Sequence, residues 1–98
     1  MRYFFHSLAE QELNEAVEFY ENERIGLGLE FVSEIESSIQ RILVFPNAWS
    51  KFGDKFRRIL VNRFPFGVVY SQKENGDIVI IAVMHLRRKP NYFKNRRD

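Results

Sequence analysis

The chain contains no cysteine. That excludes disulfides and thiolate metal sites, and it fits a reducing cytosol. No apolar run approaches the ~20 residues of a membrane helix, so no membrane partner is expected. The opening MRYFFH is too short and turns polar too quickly to serve as the apolar region of a signal peptide. Histidine occurs twice, as His6 and His85, so a metal site has little to be built from, and nothing in the sequence calls for a cofactor. Acidic residues are scarce in the second half: residues 51–98 carry twelve Lys/Arg against four acids, a net of +8. These features together describe a cytoplasmic, water-soluble protein.

The material that is present suffices for one core. At 98 residues a single domain covering 1–98 is expected. Folding at this size removes roughly two-thirds of the exposable surface from water. Hydrophobic residues make up 45% and phenylalanine alone numbers ten. The overall charge of +2 conceals an asymmetry, because residues 1–50 hold three arginines against nine glutamates, a net of −6. Such a split points to a polyanion or an acidic partner, or to helices that favour glutamate and strands that tolerate Lys/Arg.

RYFFH (2–6) reads as a short aromatic strand. Ser7 with Glu10 three residues on has capping-box spacing. The helix it starts has apolar positions at Ala9, Leu13, Ala16, Val17 and Tyr20, and ends near Arg24 before Gly-Leu-Gly at 26–28. A second helix from about Leu29 carries the stripe Phe31, Val32, Ile35, Ile39, Ile42 and Leu43 until Pro46 stops it. Residues 46–55 read as a loop and FRRILVNRF (56–64) as a strand broken by Pro65-Phe66-Gly67. VVYSQK (68–73) and IVIIAVMH (78–85) flank Glu-Asn-Gly-Asp, a hairpin signal. IVIIAVM lacks polar alternation, as expected of a central strand flanked on both sides and covered on at least one face. The order β-α-α-β-β-β predicts an α+β domain: an antiparallel helical hairpin on one face of a small, mostly antiparallel sheet, with Pro90 opening a short C-terminal helical turn.

Read in order, these pieces resemble the RelE/ParE superfamily of type II toxins, in its ParE-like plasmid stabilisation branch. The likeness rests on LAEQELNEAVEFYENERIGLGLEFVSEIESSIQRI, the Phe-Pro after it, FRRILVNRFPFGVVY, and the strand–His–Arg–Pro–aromatic–Arg order of IIAVMHLRRKPNYFKNR. The resemblance implies a small toxin neutralised by a cognate antitoxin. ParE-like members inhibit DNA gyrase by binding and RelE-like members cut mRNA on the ribosome. The fold is common to both, so it does not choose between them.

RNA cleavage needs a base for the ribose hydroxyl, an acid for the leaving oxygen and cations for the phosphate. His85 and Tyr92 are the candidate acid–base groups, with Arg57 and Arg88 completing the set and Arg58, Arg63, Arg87 and Arg96 as further cations. His85 equally suits a strand end that bonds nearby backbone; His6 suits a helix-start contact, and Tyr70 a core position. Arg57 and Arg58, adjacent on a strand, point to opposite faces. For a toxin that acts by binding, the contact residues are Arg57, Arg58, Arg87, Arg88, Lys89, Tyr92, Phe93, Lys94 and Arg96. This basic–aromatic surface suits phosphate contact with base stacking, or an acidic protein segment. Of the neighbours Tyr92 and Phe93, at most one is expected to pack against the body.

Overall fold

A computed structural model gives the architecture, and residues 1–97 are described. Strand β1 (Tyr3–Phe5) leads into helices α1 (Ser7–Glu23) and α2 (Leu27–Val44). These are followed by strands β2 (Ser50–Lys51), β3 (Arg57–Leu60), β4 (Phe66–Gln72) and β5 (Ile78–His85). The five strands form one sheet in the order β1-β5-β4-β3-β2. Only β1 and β5 pair in parallel; the other pairs are antiparallel. The α+β class and the helical hairpin are as the sequence predicts.

Local differences have physical causes. His6, not Ser7, caps α1: its Nδ1 accepts from the Leu8 amide at 3.0 Å. Helix α2 starts at Leu27, two residues early, because the left-handed Gly26 turns the chain at once and the Glu21 carboxylate takes the amides of Gly26 and Gly28 at 3.0 Å each. Two residues of the expected loop, Ser50 and Lys51, pair with Arg58 and Arg57 as an edge strand. Strand β3 ends at Leu60, before the left-handed Arg63, while Phe66 and Gly67 join β4. The segment from Pro90 forms consecutive turns, with amide-to-carbonyl bonds from Lys94 to Asn91 (3.3 Å) and from Arg96 to Phe93 (3.0 Å).

The sheet buries both of its faces. The helical hairpin covers one with Phe31, Ile35, Ile39 and Ile42 against Ile59, Val68, Tyr70, Ile80 and Val83. The other face is also apolar (Val69, Val79, Ile81, Ala82, Met84), and it is covered by Phe93, Tyr92, Phe52 and Phe56. This explains the unbroken hydrophobicity of β5, buried from Ile78 to Met84. A register shift places Val69 opposite Ala82 and Tyr70 opposite Ile80. Ile81 is therefore an extra residue, a bulge that turns both Ile81 and Ala82 to the second face.

A buried ion pair secures that second layer. Strand β1 reaches only as far as Ile80 along β5. Beyond it, the Val83 amide donates to Glu12 Oε1 on α1 at 3.0 Å, and the Ile81 carbonyl accepts from Arg96 Nη1 at 2.9 Å. Arg96 then donates both terminal nitrogens to Glu12, at 2.9 and 3.0 Å. The two side chains are 11% and 12% exposed. Arg96→Met is expected to cost about 3–5 kcal/mol, since it strands a carboxylate in a dry site. The double variant Glu12→Leu/Arg96→Met should lose less in urea unfolding than the two single variants together, whereas a double loss equal to the sum of the single losses would mean that the pair is not coupled.

At the helix crossing, a Cβ on Gly28 would stand 2.8 Å from the Val17 carbonyl oxygen of α1. Gly28→Ala therefore sets a helix-propensity gain of up to ~1 kcal/mol against overpacking of about 1–3 kcal/mol. A net loss is expected, read as a lower melting temperature. An unchanged or higher value would show that the helices can part at no cost.

Candidate functional site

The candidate site lies on the second face, where the 52–56 loop meets the tail. The loop closes on itself through Phe52 N–H to the Phe56 carbonyl at 2.9 Å, and the tail is pinned at its root by Leu86 N–H to the Pro65 carbonyl at 2.9 Å. Phe93 plugs the space between them. It stacks on Phe52 (centroids 5.6 Å apart, planes at 24°) and meets Phe56 and Tyr92 edge-on.

Phe93 is 2% exposed. Its expected role as a contact residue is therefore corrected: it is core, because the sheet has a second apolar face to cover. Tyr92 is half-buried beneath two cations, with the Arg88 guanidinium 3.7 Å and that of Arg96 5.0 Å from its ring centroid. Its hydroxyl is buried beside the Glu12 carboxylate. Burial first, and the Glu12 carboxylate beside it second, push its pKa far above the ordinary phenol value. A phenol so placed keeps its proton near neutrality.

The arginines divide by face. Arg57 turns to the helix side, where its Nη1 donates to the Trp49 carbonyl at 2.7 Å. Arg58 lies on the second face with its guanidinium 4.0 Å from the Phe52 centroid, and burial draws its pKa below the ordinary guanidinium value. Its stem crosses Gly67, where a Cβ would meet Arg58 Cδ at 2.8 Å. Arg63 is engaged by the helices, at 2.6 Å from Glu30 and 3.7 Å from Glu34. Arg96 is locked in its pair with Glu12, and Arg88 approaches the same carboxylate at 3.8 Å. Arg96 is thus a structural clasp, not a free contact residue.

His85 sits on the helix side, edge-on to Phe66 at 5.2 Å, and its Nδ1 accepts the Arg87 amide at 3.1 Å. It serves backbone, one of the two roles open to it in sequence; His6 and Tyr70 likewise take their expected places, with the Tyr70 hydroxyl donating to the Pro46 carbonyl at 2.5 Å. The set His85, Tyr92, Arg57 and Arg88 is consequently not assembled. His85 and Arg57 face the helices, while Tyr92 and Arg88 face the other way.

What remains available is charge. Arg87, Lys89 and Lys94 are exposed, and so are Lys51 and Lys55 beside the loop. Among the described residues, none of these five side chains makes an ion pair. Lys51 and Lys55 were passed over in the sequence because they sit in an apparent loop. Glu12 was also passed over, although it lies three residues from Ala9 and four from Ala16 on the apolar stripe of α1, where a charge demands a partner.

The comparisons with known proteins agree with this architecture. The family model for the ParE toxin of the type II toxin–antitoxin system parDE matches residues 3–90. Among solved structures, a chain of the chromosomal ParDE TA system from P. aeruginosa shares the fold with a TM-score of 0.72. It is 18% identical, over 89% of this chain and 97% of that one. No curated protein matches. With most of its length matched by the family model, the chain belongs to the ParE toxin family of type II toxin–antitoxin systems.

Proposed function

We propose that the chain is a toxin that acts in the cytoplasm by binding, not by chemistry, that its target is DNA gyrase, and that a cognate antitoxin neutralises it. The observation that carries this reading is the set of exposed cations on the loop and tail, Lys55, Arg87, Lys89 and Lys94, which make no ion pair among the described residues and flank the packed cluster of the second face. Such a surface steers and orients an acidic protein. The ribosome-dependent cleavage of mRNA would need an acid and a base on one side of the sheet, and the residues named for it are split between two.

Tightly controlled expression of the chain should arrest growth with filamentation and DNA breaks, and the purified chain should inhibit supercoiling by gyrase. Arg87→Glu/Lys89→Glu is expected to raise the inhibitory concentration at least ~10-fold, a modest value for two charge reversals at an interface. His85→Ala should leave it nearly unchanged. Intact gyrase activity together with message cut in translating ribosomes would sink this reading and return the chain to the RNA-cleaving class. Loss of cleavage in His85→Ala would then place that histidine in the chemistry.

A further inference from the structure

A cleft of about 210 Å³ opens where the end of the sheet meets the segment after α2. Lys51, Lys55 and Arg57 line it, together with Asp54, Asn47 and Ser71. Strand register brings the cations together. Lys51 pairs with Arg57, and Arg57 with Tyr70, so the three residues form one row across β2, β3 and β4. Residues directly opposite on antiparallel strands share a face, and Tyr70 marks that face as the helix side. The row is therefore turned away from Phe93 and the tail.

Two cations side by side in such a row repel each other, and no acid relieves them. Among the described residues, Lys51, Lys55 and Arg57 make no ion pair. A lysine on an edge strand is a common guard against unwanted strand pairing, which accounts for Lys51 alone. It does not account for Arg57. That side chain is half-buried, and its hydrogen bond is the one from Nη1 to the Trp49 carbonyl at 2.7 Å. A guanidinium carries five N–H donors, so most of them are left over on a side chain whose direction is already fixed. The nearby Pro46 carbonyl does not call on them, because it accepts from the Tyr70 hydroxyl at 2.5 Å. The Ser71 hydroxyl and the Asn47 amide also make no hydrogen bond among the described residues.

We propose that this cleft binds a phosphate dianion, with Arg57 as a fixed fork, Lys51 and Lys55 closing on the oxygens and Ser71 donating its hydroxyl. Charge and size decide the class. Three cations against the single acid Asp54 leave the lining at +2, and a phosphomonoester carries about −1.5 to −2 near neutrality. A carboxylate would neutralise only half of that charge. Pockets that enclose a whole small molecule run to ~300–1,000 Å³, so a cleft of about 210 Å³ admits the phosphate and leaves any carrier outside. Inorganic phosphate and a mononucleotide present the same group. Lys55 is common to this cleft and to the exposed cations of the proposed toxin surface, but Lys51, Arg57 and Ser71 are not. The site therefore does not depend on which enzyme the toxin arrests.

The probes are AMP and inorganic phosphate, titrated into the whole ¹⁵N-labelled chain at constant ionic strength, with acetate as the carboxylate control. Saturable amide shifts should concentrate in 47–57 and at Ser71, with half-saturation at or below ~1 mM for the tighter of the two. Binding should tighten as the pH rises through about 6, where a phosphomonoester loses its second proton; no histidine lines the cleft to mimic this. Lys51→Gln should weaken binding roughly tenfold, as loss of a charged hydrogen bond does, at an unchanged melting temperature because the side chain is exposed. Asp54→Asn should tighten it at least ~2-fold by removing the like charge, an effect that a merely structural Arg57 would not produce. Tighter binding of AMP would make the carrier a nucleotide, and equal or tighter binding of inorganic phosphate would make the ligand the free ion. The proposal is overturned if acetate gives the same shifts, if a dT twelve-mer without terminal phosphates binds there as tightly as AMP, if the two variants leave the affinity unchanged, if the shifts fall on the tail, or if nothing saturates by ~10 mM. A chain that arrests gyrase yet fails these tests would keep its function and lose this site.

Discussion

The contact between Glu12 and Arg96 joins three parts of the chain that share no sequence proximity: α1, the bulged middle of β5 and the tail. Its origin is the shortness of β1, which pairs β5 only through Ile80. Past that point the backbone of β5 needs partners other than a strand, and a buried amide or carbonyl left alone costs ~1–3 kcal/mol. Two side chains of opposite charge provide them, one donor and one acceptor, and neutralise each other in doing so. Taking a carboxylate and a guanidinium out of water is costly, and the pair is tolerated only because bidentate geometry and the two backbone bonds repay it. A hydrophobic pair could fill the space but could not satisfy Val83 N–H and the Ile81 carbonyl.

That constraint sets the form of the candidate site. With Arg96 clasped, the residues before it form a closed strap between Leu86 and the 93–96 turn, pinned at both ends. Phe93 must then point inward onto Val69, Ile81 and Met84, where burying a ring of this size is worth about 1.5–3 kcal/mol. Along the strap the side chains of Arg87, Lys89 and Lys94 stay exposed. The fold therefore converts a basic, aromatic tail into two populations: residues that hold the strap down, and cations that it displays. The acids of the helical hairpin are treated differently. Glu30 binds both Arg24 and Arg63, which holds its carboxyl below the ordinary range, so part of the helical charge is spent internally, as Arg96 and Arg88 are on Glu12.

The sequence was legible where a single period dominates. The stripe from Phe31 to Leu43 and the apolar run from Ile78 to Met84 specified a helix and a central strand, and the hairpin between β4 and β5 followed from Glu-Asn-Gly-Asp. It was less legible where the outcome depends on a distant partner. Ser50 and Lys51 carry no strand signal of their own and pair only because β3 offers an open edge. The displacement of the cap from Ser7 to His6 is a choice between neighbours that local pattern does not resolve. Phe93 was read as a contact residue of a basic–aromatic surface, with at most one of Tyr92 and Phe93 packed on the body; the second apolar face of the sheet takes both rings. Glu12 was the missed clue: a carboxylate on an apolar stripe implies a buried cation somewhere, and the tail held the candidates.

The same fold carries toxins that bind and toxins that cut RNA in the superfamily this chain resembles, so the difference must lie in where side chains point. In this chain one detail governs that direction. The bulge at Ile81 puts two successive residues of β5 on the second face and returns Val83 and His85 to the helical side. An unbulged strand would send His85 toward Tyr92 and Arg88. A single extra residue in the central strand thus places His85 on the face opposite to Tyr92 and Arg88. What the second face keeps is a packed aromatic floor with exposed cations on the loop and tail beside it.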